Sequence, residues 1–125
     1  MIPAQLSTEL EELKGDGHTL EVTEDAHAIY IVLRRYPLPV GYNKASTDLL
    51  VKVPISYPNG RPDMFWTDAD LTLEDGQVPK SADAIEELEA RRWRRFSWHP
   101  QGWNPGTDNI RTYLEFVNSR LAKKV

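Results

Sequence analysis

The 125-residue chain has 40% hydrophobic residues and 15 Lys and Arg against 19 Asp and Glu, a formal charge of -4. That is enough apolar content for one compact domain over residues 1–125 without a disulfide or metal staple. The acidic balance argues against a general phosphate-backbone binder. The absence of cysteine excludes disulfides, thiolate metal sites and any thioester or cysteine nucleophile.

The opening "MIPAQLSTELEEL" lacks a basic start followed by an apolar block, and no apolar run approaches the roughly 18 to 20 residues needed to span a bilayer. A soluble cytoplasmic protein without membrane contact is expected. Leu6, Leu10 and Leu13 form a stripe at helical spacing, with Ser7 as a cap and Gly15 and Gly17 as the stop. Glu9, Glu11 and Glu12 read as its solvated face.

"HTLEV" and "AIYIVLRRY", joined by "TEDAH", predict two antiparallel strands, and "DLLVKVPI" (Asp48 to Ile55) a third. A fourth is expected around Met64 to Thr67, after the abrupt brake of "SYPNGRPD". Ser81 to Arg92 then reads as a helix with Ile85 and Leu88 inward, acidic residues early and arginines late. Ile110, Tyr113, Leu114, Val117 and Leu121 predict a final helix capped by Thr107 or Asp108. The expected class is α+β: an N-terminal helix, a four-stranded antiparallel meander, then C-terminal helices packed on the sheet.

Tyr57-Pro58, Pro62, Phe65-Trp66 and Trp103-Asn104-Pro105 follow that meander in an order resembling the ubiquitin-conjugating-enzyme (UBC) superfamily, which implies a UBC-like or RWD-like fold. Proline fixes φ and cannot donate to a ladder, so Pro58 and Pro62 mark a strand border on physical grounds alone. The runs "YPLPVGYNKASTDLLVKVPISYPNGRPDMFW", "RRWRRFSWH" and "WNPGTDNIRTYLEFV" are similar to prokaryotic family E of this superfamily. The resemblance implies a bacterial setting alongside a ubiquitin-like protein and an adenylating activating enzyme, with a deubiquitinase-like metallopeptidase as a further candidate partner. It also implies a catalytic cysteine between the fourth strand and the Trp-x-Pro helix, yet Thr67 to Gly102 contains none. His99-Pro100 lies too close to Trp103 to stand for the family's His-Pro-Asn motif, so no catalytic residue is carried over.

Among other sites, Ser97 and His99, two apart, are candidates for nucleophile and base with Asp108 as orienter, against a structural role for His99. Arg91, Arg92, Arg94 and Arg95 beside Trp93, Trp98 and Trp103 read either as an irregular flap packed on the core or, where exposed, as a binding surface. Arginines and tryptophans would also suit nucleic acid, but the acidic remainder opposes it. Asp68, Asp70 and Asp75 lack the spacing of a calcium loop. His18, His27 and His99 fall in separate elements, so neither a metal nor a cofactor is expected.

The reading is a conjugating-enzyme-like binding protein rather than an enzyme, because a serine ester transfers to amines far more slowly than a thioester. Three alternatives stay open: a transferase whose cysteine has been replaced, with Ser97 the position to suspect; an enzyme using Ser97 and His99; and an oligomeric scaffold.

Overall fold

The computed structural model describes residues 2–125. Its elements are α1 (Ala4–Gly15), β1 (Thr19–Glu24), β2 (Ala28–Pro37), β3 (Ser46–Pro54), β4 (Phe65–Asp68), β5 (Ala84–Leu88), β6 (Arg91–Phe96) and α2 (Ile110–Leu121). The six strands form one sheet in the order β1-β2-β3-β4-β6-β5, with every neighbouring pair antiparallel. The α+β class and the four consecutive strands agree with the sequence. Two further strands, and a single helix after the sheet instead of several, do not.

The segment expected to be a helix from Ser81 to Arg92 is the β5–β6 hairpin. Arg91, Trp93 and Arg95 alternate with Arg92, Arg94 and Phe96, the period-two signature of a strand. Ile85 and Leu88 fit helical spacing only by coincidence. Phe96 joins the core under the helices and Trp93 the cluster on the opposite face. Trp93 therefore belongs to a paired strand and not to an irregular flap.

The N-terminal caps of the two helices also differ from the sequence expectation, while α1 ends at Gly15 and α2 at Leu121 as expected. α1 begins at Ala4 behind Pro3, with no side-chain cap at its N-cap position, so Ser7 lies inside it. α2 is capped by Asn109, whose side chain accepts from Thr112 N–H while the Thr112 hydroxyl receives the Asn109 N–H. This reciprocal pair, not Thr107 or Asp108, satisfies the orphan donors of the first turn.

Both helices lie on one face. Leu6, Leu10 and Leu13 of α1 and Ile110, Tyr113, Val117 and Leu121 of α2 pack on Ile29, Ile31, Leu33, Leu49, Val51, Val53, Phe65 and Phe96. A sheet has two faces, however, and β3 is buried on both, with Leu50 pointing away from the helices. There Ala28, Tyr30, Leu50, Trp66 and Trp93 form a second cluster joined by Val32, Met64 and Leu88. The β5–β6 hairpin covers it: Trp93 Nε1 donates to Leu88 O at 3.1 Å, and Thr23 Oγ1 donates to Glu89 at 3.0 Å. β1 and β5 are opposite edges in the strand order, so the Thr23–Glu89 contact requires the sheet to coil strongly.

The brake at Ser56 to Trp66 is a corner that three elements hold. Glu9, the exception on the supposedly solvated face of α1, accepts from both Tyr57 Oη and the Ile110 N–H at the start of α2. Trp103 Nε1 donates to Pro58 O at 2.7 Å, and Tyr113 Oη reaches the carbonyls of Asp63 and Met64 at 2.9 and 3.0 Å. Tyr57-Pro58 is cis, and Pro62 is buried while Pro105 is exposed.

Replacing Glu9 with Ala strands the Ile110 N–H and the Tyr57 hydroxyl. Equilibrium urea unfolding should show a loss of about 1–3 kcal/mol, with Glu9→Gln milder because its amide oxygen still accepts. Glu89 and Ala90 both adopt positive φ in the hairpin turn, at 52° and 60°, where glycine is preferred. Ala90→Gly should raise stability by about 0.5–1 kcal/mol in the same assay. A destabilised variant would show that the turn is not strained.

Candidate binding surface

Strand alternation separates the arginines that the sequence clusters together. Arg91 faces the outer side, where its guanidinium stands 4.1 Å from the Trp93 ring centroid and pairs with Asp48 at 2.8 Å and Asp68 at 2.7 Å. The chain of charges continues through Arg34 to Asp48 at 3.2 Å, and through Lys44 to Asp68 and Asp70 at 2.9 and 2.8 Å. Asp48 is also aimed by the β2 bulge between Leu33 and Tyr36, where Arg35 donates its N–H to the same carboxylate at 3.2 Å. Asp68 and Asp70 are thus neutralised by cations of the protein, and Asp75 caps Gln77 N–H in a turn. Among the described residues no group of three His, Cys, Asp or Glu could hold a metal.

Arg94 lies on the opposite side and is buried, donating to Ala82 O at 2.7 Å and Ala69 O at 3.1 Å. It ties the 69–83 loop to the sheet. Arg92 is exposed on the hairpin. Arg95 reaches Glu86 at 3.1 Å and the Ser97 hydroxyl at 3.0 Å.

Past β6, Trp98 and Trp103 are each pinned by one polar bond. Trp98 donates its Nε1 to Lys80 O at 3.0 Å and stacks 4.3 Å from the buried Arg120 guanidinium. Trp103 packs beside Tyr57 with centroids 6.3 Å apart. Both stay half-buried against the main core. His99 Nδ1 lies 2.5 Å from Asp63 Oδ1, and Arg61 donates to Pro100 O at 3.1 Å, so the 97–103 segment is fastened to the proline corner.

These bonds leave the Ser97, His99 and Asp108 set unassembled. The Ser97 hydroxyl is turned to Arg95, the imidazole to Asp63, and the Asp108 carboxylate accepts the Asn104 N–H at 2.7 Å. Asp63 is a member of this site that no sequence motif marks. Its partnership with His99 spans 36 positions and leaves no local signal.

Arg95 also lines a cleft of about 430 Å³ with His27, Lys52, Arg61, Met64, Trp66, Glu86 and Leu88. Trp66 Nε1 donates to Glu86 at 2.8 Å, which fixes the indole as part of the cleft wall. Residues from β2, β3, β5 and β6 meet here only because the hairpin crosses the sheet, so sequence spacing could not reveal it.

A profile of the family described as Prokaryotic E2 family E matches residues 6–124. The chain belongs to that family. No curated protein and no solved structure gives a significant match. For this family-E chain the match runs through every strand, including the β5–β6 hairpin, and through α2. No helix among the described residues is long and apolar enough to cross a membrane.

Burial tends to raise the Asp48 carboxyl, but the hydrogen bond from Arg91, the Arg35 N–H and the charges of Arg34 and Arg91 outweigh it and hold it below the usual 3.8. The bond from Lys44 lowers Asp70 in the same way. A lowered folded value means that this contribution is complete above the unfolded value and is lost as pH falls through the folded one. Stability should therefore decline below about pH 4, and Asp48→Asn, weaker at neutral pH by about 1–2 kcal/mol, should converge on the parent protein in acid. Thermal unfolding from pH 7 to pH 2 reads this directly; a constant gap would remove Asp48 from the acid response.

Proposed function

We propose that this family-E protein acts in a bacterial ubiquitin-like modification system by binding rather than by carrying a thioester. The partners are a ubiquitin-like protein or the adenylating activating enzyme, with a deubiquitinase-like metallopeptidase as a further candidate, in the cytoplasm. The single observation that carries the reading is a conjugating-enzyme family chain with no cysteine at any of its 125 positions. A thioester carrier needs a sulfur that is both nucleophile and leaving group, and neither Ser97 nor any other hydroxyl supplies that chemistry.

In this reading the layout is UBC-like: a leading helix, an antiparallel sheet, the Tyr57-Pro58 to Trp66 corner, and a helix entered through Trp103-Asn104-Pro105. The β5–β6 hairpin lies beyond the four consecutive strands β1 to β4. The contact surface comprises Arg92, Arg95, Trp98, His99 and Trp103, whereas Arg94 is buried and the part-exposed Arg91 is engaged by Asp48 and Asp68. Half-buried Trp beside Arg is a composition favoured at interface hot spots. Nucleic acid is not part of the reading, since the chain is acidic overall.

The test mixes the purified protein with the ubiquitin-like protein, the activating enzyme and ATP, then compares size-exclusion elution with gels run with and without reductant or hydroxylamine. A complex with no labile adduct is expected. A hydroxylamine-cleaved adduct would establish an oxygen nucleophile and overturn the proposal. Ser97→Cys discriminates further: it should also stay free of adduct, and a reducible band would favour a transferase whose cysteine has been replaced.

A further inference from the structure

We propose that the cleft beside β5 is a docking site for an extended, mostly apolar peptide segment of a partner protein that carries one carboxylate. This inference stands apart from the family reading and concerns the cleft on the outer face of the sheet, which shares Arg95 with the surface proposed above.

β5 ends the strand order, and among the described residues no backbone hydrogen bond joins it to anything but β6. Its other edge offers unpaired N–H and C=O groups, the template for strand addition. An open edge alone would say nothing about a partner. Here the coiled hairpin turns Glu86, Leu88 and Arg95 toward a recess whose other residues come from 27–28, 52–54 and 61–66. Met64, Trp66 and Leu88 supply an apolar lining suited to one aliphatic or aromatic side chain.

The charges select the rest of the ligand. Glu86 is satisfied by Arg95 and the Trp66 indole, and Asp63 by His99. Arg61 stands 3.9 Å from Asp63 as a loose pair and donates to Pro100 O at 3.1 Å; the exposed Lys52 side chain has no ion pair or hydrogen bond among the described residues, and its Nζ lies over the Tyr30 ring, 5.9 Å from the centroid. One uncompensated cation beside a second loosely held one fits one carboxylate. A polyanion is disfavoured, because Glu87 is exposed on the same strand and Glu86 and Asp63 stand at the rim.

The probes are two acetylated and amidated pentapeptides, Thr-Leu-Asp-Leu-Thr and its Asn counterpart, titrated at low ionic strength into the isotope-labelled full chain and followed by amide and indole NMR signals. The expected result is saturable shifts at β5 amides and the Trp66 indole, with the Asp peptide at least about 5-fold tighter, a preference erased in Lys52→Glu. Lys52 is exposed, so that variant should melt with the parent protein and remain interpretable. Equal affinity for the two peptides, shifts centred away from β5, or no saturable shift at millimolar peptide would overturn the proposal. Concentration-dependent shifts of the same amides without peptide would overturn it as well, by making a second copy of the chain the occupant.

Discussion

A sheet with both helices on one side has a second apolar face that must be kept from water, and the rest of this structure depends on how that is done. Leu50 in the central strand and Tyr30 beside it cannot be exposed without a large loss of burial. No helix is available for that side. The chain covers it with its own sheet, by coiling β5 and β6 back until the hairpin turn reaches β1 at Thr23. Trp93 and Leu88 then do for the outer face what Phe96 and the helices do for the inner one.

That solution also explains the uneven fate of the basic run. Six consecutive residues of a strand must alternate between faces, so Arg91, Trp93 and Arg95 go outward while Arg92, Arg94 and Phe96 go inward or to the margin. Arg91 becomes the centre of an ion-pair network linking β2, β3, β4 and β6, and its Trp93 stacking draws on the same geometry. Arg94 is sealed by carbonyls. A cluster that looks like one binding patch in sequence is therefore divided between the two faces of β6: Arg94 is buried, Arg91 and Arg95 are part-exposed and ion-paired, and Arg92 is exposed.

The proline corner is the second organising feature, and its anchoring shows how polar groups can direct packing. A single carboxylate, Glu9, receives a phenol from the corner and a backbone N–H from α2, joining segments 48 and 101 positions away. Burial, the hydrogen bond to Glu9 and the Glu9 charge push the Tyr57 hydroxyl well above the ordinary phenol value, in keeping with its role as donor. The Trp103 and Tyr113 bonds to Pro58, Asp63 and Met64 complete the anchoring without adding charge.

Local chemistry alone determined much: the leucine stripe of α1, the first three strands, the proline brake before β4, the apolar face of α2, the resemblance to family E and the missing thiol were all readable without coordinates. These are short-range periodicities and residue types, which carry their meaning within one element. Tertiary structure decided what depends on partners distant in the chain. It turned Ser81 to Arg92 into a hairpin that places Trp93 and Leu88 on the second apolar cluster of the sheet. It joined His99 to Asp63 instead of Ser97, drew Glu9 out of solvent, and assembled the Lys52, Arg61 and Trp66 cleft. Apart from the period-two alternation within β6, these have no spacing signature, because each joins residues far apart in the chain.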